Sequence, residues 1–551
     1  MSTSTGATAS AAAVTIERLT TTLHPGAAEE LPGSRLDGPL RHLVGGGLAQ
    51  ALDALRLPPG RWCVRRIDVA VTLDPARTDL ALASGWSEAL AAAIERAVRD
   101  GSGEVVHYRH EIDLLADFVA GAATGRTERS WAWRQAAVLR PGDQSPSAAP
   151  GAAILTALTR SRQHAAAALL RAAAECGLPA LDRALGRDGW QRAAALVALA
   201  SWSEPTRSGS GHQHDPSPGN SHGHSPGHSP GHGEAAAEVQ QALARRLVNG
   251  SRLAELVRGS RLRPEPGTST AWAVLVVAET DPASLHRHPH PALPALIARE
   301  LTARHGRPAG HAHRAPEEHP PDGVPGTGPP SRHSGSPVAL SATDETPSVP
   351  APAPVASAAP DPGPPGDADG GVPTAWAGLL FLLATAAEAG LPHRILDEPA
   401  LAARPLRWVL HSAGRALLPA VAADDAALLA LAGLDASRAA GLLDSAPATP
   451  DERSCVEALA RDWAAVTAAR LHPAPAPVLD SDPDSDPAPD VDPAAVIVRL
   501  ARREGMVSVE PGWLELRLPV SGVAVEVRRA GLDLDPGWVP WLGVVVRYVY
   551  A

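Results

Sequence analysis

The sequence predicts a mainly α fold with small β elements (α+β). Several helical segments, an N-terminal strand-helix unit and a C-terminal antiparallel hairpin are expected, joined by disordered linkers. Three observations carry this. Apolar residues recur at helical spacing over long stretches. Hydrophobic residues make up 44% of the chain but aromatics only 3%, so its cores are built from Ala, Leu and Val, which suits close-packed helices. The 55 Pro and 49 Gly gather in low-complexity runs that cannot bury enough apolar surface to offset chain entropy.

Residues 14–140 form the first unit. Residues 14–23 alternate weakly, as a strand does. Residues 40–55 place Leu40, Leu43, Val44, Leu48, Leu52 and Leu55 at helical spacing, and Pro58-Pro59-Gly60 ends that helix. Residues 63–73 alternate through Val64, Ile67, Val69, Val71 and Leu73, which predicts a strand closed by Asp74-Pro75. Helices follow at 86–98 and 111–123, the second with Ile112, Leu115, Phe118 and Val119 on its apolar face. Trp131 and Trp133 come next, as core or as an inter-helix seam. Residues 150–205 are helical, with breaks at Gly177-Leu178-Pro179 and near Gly186. Residues 234–305 return to helix, and 272–278 fits a strand or a buried helix. Residues 373–472 are the clearest helical domain, with Trp376, Leu379, Leu380, Leu383 and Ala387 on one stripe. Residues 494–551 are β-rich. Leu514, Leu516 and Leu518 alternate, Ser521-Gly522 offers a hairpin turn, and Val523, Val525 and Val527 alternate in return. Two or three antiparallel strands are expected there.

Linkers are expected at 206–233, 306–372 and 473–493. The first holds six histidines (His212, His214, His222, His224, His228 and His232) within Ser-Pro-Gly-His repeats. Flexible imidazoles can wrap Ni, Zn or Cu, but no cysteine or carboxylate cluster completes a geometry. The third alternates Asp480, Asp482, Asp484 and Asp486 with prolines. It lacks the central Gly and closing Glu of a calcium loop.

The composition also excludes chemistry. The chain contains no Lys, so its 49 basic residues are all Arg. Gly45-Gly46-Gly47 therefore cannot belong to a P-loop, and Schiff-base chemistry has no amine. A net charge of -11 and scattered Arg point away from nucleic acid. Cys63, Cys176 and Cys455 lie far apart, with no zinc spacing, as in a reducing cytoplasm. Residues 1–13 lack the basic and apolar regions of a signal peptide, and the longest apolar stretch, 376–387, is too short to span a bilayer. His110-Glu111 begins a zinc-protease motif, but position 114 is Leu. Asp424-Asp425 suits a helix start, and Asp533 and Asp535 suit turns that cap backbone amides. No catalytic residue, cofactor or metal site is expected.

The order of motifs resembles that of the contractile injection system tape measure protein family. It runs from Thr15-Ile16-Glu17-Arg18-Leu19 through Arg66-Ile67-Asp68-Val69-Ala70-Val71 to Leu114-Leu115-Ala116-Asp117-Phe118 with Trp131-Ala132-Trp133. The middle carries Ala377-Gly378-Leu379-Leu380-Phe381-Leu382-Leu383 and Trp408-Val409-Leu410-His411. The last part carries Trp513-Leu514-Glu515-Leu516 and Gly531-Leu532-Asp533-Leu534-Asp535-Pro536-Gly537-Trp538-Val539-Pro540-Trp541-Leu542-Gly543. About half the chain is covered. The resemblance implies a cytoplasmic structural or assembly component of a phage-tail-like particle, acting by protein-protein contacts and in tube length control, with tube, sheath or baseplate proteins as partners. It implies no catalytic residue; the charge and the short apolar stretches already point away from nucleic acid and a membrane span. A literal ruler should be one long helix, and the Pro and Gly breaks favour a compact assembly factor instead. Trp131, Trp133, Trp513, Trp538 and Trp541 are the candidate interaction residues, with exposed apolar strips expected near the C-terminal sheet. The alternative is a scaffold or metal-handling protein that uses the histidine tract.

Overall fold

Ala-rich helices with one apolar face must bury that face, and here they do so in layers around two hydrophobic cores. The computed structural model describes residues 36–201, 231–285, 292–303, 371–473 and 492–551, apart from 56, 73, 75, 102–103, 261 and 523. The strand expected at 14–23, the histidine tract, the segment 306–370 and most of the Asp/Pro segment lie outside them. The fold is mainly α with small β elements. All described residues belong to one compact unit, so the predicted helical segments share their cores and do not stand apart.

The first core gathers residues between Cys63 and Leu301. Helices Glu111–Thr124, Pro150–Arg160, Ala165–Cys176, Leu178–Ser201 and Pro266–Thr280 pack together in it. The breaks fall as expected: Gly177 ends one helix and Gly186 kinks the next at φ 59°. Residues 272–278 are buried helix, and Trp272 meets Trp190 edge-on at 5.9 Å. Strands β1 (Arg61–Val64) and β2 (Val105–Tyr108) pair antiparallel beside this core. The expected strand at 63–73 therefore stops at Val64. Among the described residues beyond it, from Arg65 to Thr72, the backbone has no regular structure, because β2 offers partners only as far as Val105.

The helix expected at 40–55 is interrupted. Asp37–His42 and Leu48–Asp53 flank a wide turn at Leu43–Gly47, where Gly46 sits at φ 143°. The insertion shifts the apolar stripe. Leu43 and Leu48 are buried, while Val44 is 74% exposed.

The second core combines residues between Ala377 and Ala464 with Ile497, Leu500, Ala501 and the C-terminal sheet. The stripe at 376–387 is 3-10 helix over Ala377–Leu382 before an α turn at Leu383–Ala386. Gly378 makes this close packing possible: a Cβ there would lie 2.0 Å from the Leu500 carbonyl oxygen. Gly390 ends that stretch, and Leu391–Asp397 starts immediately with Pro in its first turn. This stretch and Leu391–Asp397 are together apolar enough to span a membrane, but they are bent by 76°, and Ala377 to Leu383 are buried in the core. Among the described residues no single helix is long and apolar enough to cross a membrane.

The sheet is five-stranded and mixed, where a small antiparallel hairpin was expected. Strands β3 (Val372–Thr374), β4 (Gly505–Glu510), β5 (Trp513–Leu518), β6 (Gly537–Val539) and β7 (Val544–Tyr550) take the spatial order β3-β4-β5-β7-β6. The hairpin turn is Pro511-Gly512, between β4 and β5, and not Ser521-Gly522. After β5 the chain makes a crossover through helix Val525–Arg529, and β7 then pairs parallel to β5. Of the alternating valines, Val527 is buried, Val525 is 61% exposed, and Val523 lies outside the described residues. Strand β7 takes the place they were expected to fill. Val544, Val546 and Tyr548 continue the buried face of Leu514, Leu516 and Leu518, so the apolar match is longer there.

Candidate functional site

The densest polar constellation among the described residues lies where the first core meets the tip of the β4–β5 hairpin. His110 leaves β2 in an extended conformation and caps helix Glu111–Thr124, its Nδ1 accepting the Asp113 amide at 3.3 Å. Its side chain is 4% exposed. The imidazole packs against Trp513 at a tilt of 32°, with ring centroids 4.6 Å apart. The turn places Glu510 beside it, Oε2 lying 3.5 Å from His110 Nε2. Gly512 turns at φ 77°, and a Cβ there would lie 2.3 Å from the Ala167 Cβ. Glycine is thus required both for the turn and for the approach to helix Ala165–Cys176.

Arg171 projects from that helix and binds both carboxylates. It pairs with Asp113, and with Glu510 at 2.8 Å, and also donates to the Pro511 carbonyl at 3.3 Å. Arg109 reaches Glu510 from the solvent side at 2.7 Å. Burial pushes the Glu510 carboxyl up, but His110, Arg171 and Arg109 outweigh it and hold it at about 2. Burial lowers the Arg171 guanidinium, against the pull of Asp113 and Glu510.

His110, Asp113 and Glu510 offer donor atoms within 4.8 Å of one another, the spacing of a metal cluster. The guanidinium of Arg171 already fills the cation's role, engaging both carboxylates in the charge-assisted pairs that Arg favours. The arrangement is a fastening between residues about 340 to 400 positions apart in the chain.

Two further carboxylates are saturated in the same way. Asp117 accepts from the Tyr108 hydroxyl at 2.7 Å and the Trp133 indole at 2.8 Å, and pairs with Arg129 at 2.8 Å. Glu279 is buried. It accepts from the Ser251 hydroxyl at 2.6 Å and the Arg252 and Leu253 amides at 2.9 and 3.1 Å, and pairs with Arg438 from the second core.

The five tryptophans separate. Trp133 is 1% exposed and packs edge-on against Phe118, so it belongs to the core and has no face for a partner. Trp131 is half-buried against the same core. Trp513 stands in the seam. Trp538 lies across β7 from it, in register through Val545, and Trp541 packs on the second core. Asp425 caps helix Ala426–Leu431, accepting the Ala427 amide at 2.9 Å. Asp535 accepts the Tyr548 amide at 2.6 Å, and Asp533 accepts the Tyr550 hydroxyl at 3.0 Å. Asp425 is a helix cap, as its sequence setting suggests, whereas Asp535 takes a strand amide thirteen residues on and Asp533 takes a hydroxyl and Arg528, so neither is seen capping its own turn. Asp113, Arg171 and Glu510 carry no such local signal, because their meeting depends on packing between distant elements. Comparison of the chain with family models, curated proteins and solved structures returns no match in any of the three.

Proposed function

We propose that this chain is a cytoplasmic structural or assembly component of a contractile, phage-tail-like injection system, acting through protein-protein contacts with tube, sheath or baseplate proteins. The order of its sequence motifs gives the particle class. The observation that carries the contact role is where apolar side chains are exposed. Val372, Val498, Met506, Val520, Val525 and Leu534 are 36–62% exposed, and all belong to the C-terminal sheet, its crossover or the helix before it. They are six of the ten large exposed apolar residues among the described ones, the others being Val44, Leu80, Leu199 and Leu443 elsewhere, and such a concentration on one module is a mark of an interaction surface. The seam carboxylates support a non-catalytic role, since each is already engaged by an arginine.

An assembly factor is favoured over a ruler. Among the described residues the longest helix, Leu178–Ser201, has 24 residues and is bent at Gly186. Even straight it would span only about 36 Å.

Electron microscopy of particles from the native host tests this. Without the gene, particles are expected to vanish or to become heterogeneous in length. A chain carrying Val525→Asp and Leu534→Asp should melt like the parent yet fail to restore them. Normal particles of unchanged length without the gene would overturn the reading.

A further inference from the structure

Residues 66–72 have the spacing of a strand and no strand beside them. Their exposure alternates: Ile67, Val69 and Val71 are half-buried, while Arg66, Asp68, Ala70 and Thr72 are exposed. That two-residue period is the mark of extended backbone. The Arg66 Nε donates to Asp68 Oδ1 at 3.0 Å, as side chains on one face of a strand can. Yet no backbone group in 66–72 makes a hydrogen bond among the described residues.

The open run has sharp limits. Before it, the Arg65 amide donates to the Glu104 carbonyl at 2.8 Å, and the Val64 carbonyl accepts the Gln135 side chain at 3.1 Å. After it, Pro75 has no N–H to offer. The two edges of the C-terminal sheet are blunted by comparison. Strand β3 holds Pro373, and β6 has three residues with Pro540 just after it. An open edge of seven residues is a template for another strand.

The run is complementary to a copy of itself. Laid antiparallel about Val69, residues 66–72 match their equivalents over the whole open length. Ile67 then faces Val71 of the second copy, and Val69 faces its own equivalent, so the half-buried face gains three aliphatic pairs. On the other face Arg66 meets Thr72 and Asp68 meets Ala70, so no like charges stand directly opposite. The charges that would deter pairing are already matched within each copy, Arg66 against Asp68.

We propose that residues 66–72 are a homodimer contact, where two copies of this chain add strand to strand across a two-fold axis at Val69. This inference stands independently of the injection-system reading.

Sedimentation of the full chain at about 100 µM, enough to populate a weak interface of small area, should show a dimer. Val69→Asp sets two carboxylates face to face and should raise the dissociation constant at least about tenfold while the chain melts like the parent. Val69→Cys should crosslink two copies under mild oxidation, since facing residues lie about 4.5–5.5 Å apart, within reach of a disulfide. Ile67→Cys should stay at the parent's background, because the two substituted positions lie about 13 Å apart in this register. The crosslinking pair decides the matter even where the aspartate variant fails to fold. A parent chain that stays monomeric, whether its edge takes another part of the chain or only water, would overturn the proposal. So would a dimer unchanged by Val69→Asp, or equal crosslinking at the two positions.

Discussion

Burial alone would lift the Glu510 carboxyl above its ordinary range, yet three cationic or hydrogen-bonding neighbours hold it near 2. A carboxyl depressed by folding adds stability above its unfolded value, and that contribution fades as pH falls toward the folded value. Glu510→Gln is therefore expected to lower stability by about 2 kcal/mol at pH 7, since Arg171 keeps only Asp113. Urea titrations should show the gap between parent and variant unchanged from pH 7 to 5, and narrowing between pH 5 and 2. A gap that widens in acid would contradict the assignment. Arg404 is a second such residue. Its guanidinium grips Glu452 at 2.6 and 2.8 Å, takes the Ala446 and Pro447 carbonyls, and lies 4.1 Å above the Trp408 ring. Arg404→Met should cost about 3–5 kcal/mol, because it leaves the buried Glu452 carboxylate without its arginine. Arg404→Lys should recover little, because an ammonium cannot make the planar fork. Recovery by lysine to parental urea stability would show that charge alone matters there.

At the scale of elements, the Pro511-Gly512 turn fixes where the sheet meets the helices. Gly512→Ala meets both a left-handed backbone and Ala167, so an expected loss of about 2–4 kcal/mol follows. Hydrogen exchange should rise first in β4 and β5 and least in Glu111–Thr124; uniform exchange across the molecule would argue against a local role. This turn was legible in the sequence: Pro-Gly lies between Met506-Val507-Ser508-Val509 and the alternating leucines. The turn was nonetheless expected at Ser521-Gly522, because Val523, Val525 and Val527 also alternate, and a five-residue alternation does not separate a strand from one helical turn. Helices were legible wherever their apolar period ran long, as in Glu111–Thr124 and Leu178–Ser201. The wide turn at Leu43–Gly47 hides in its three glycines, whose permissive backbone leaves no periodic trace. The seam was legible only in its tryptophan, because Arg171 and Glu510 are ordinary surface residue types until packing brings them together.

The whole molecule is held by contacts that jump across the chain. Arg171 reaches Glu510, and Arg438 reaches Glu279. Residues 1–305 and 371–551 produced as separate chains should therefore associate one to one, and elute together in size-exclusion chromatography. Glu279→Ala in the first chain should weaken that association at least tenfold, by leaving Arg438 without its carboxylate. Separate elution of the unaltered pair would mean that the covalent connection, and not the seam, keeps the halves together.

The position of β3 sets a timetable for synthesis. It pairs with β4, which follows it by more than a hundred residues, and the apolar run Ala377–Leu382 just after β3 is closed over by Leu500 and the later strands. At about 5–20 residues per second, a ribosome needs on the order of ten seconds to deliver those coverings. For that interval the nascent chain carries an open greasy trough, and folding of the second core must wait. Yield in the cell should then be set by whatever shields the growing chain during that wait, more than by the stability of the finished molecule.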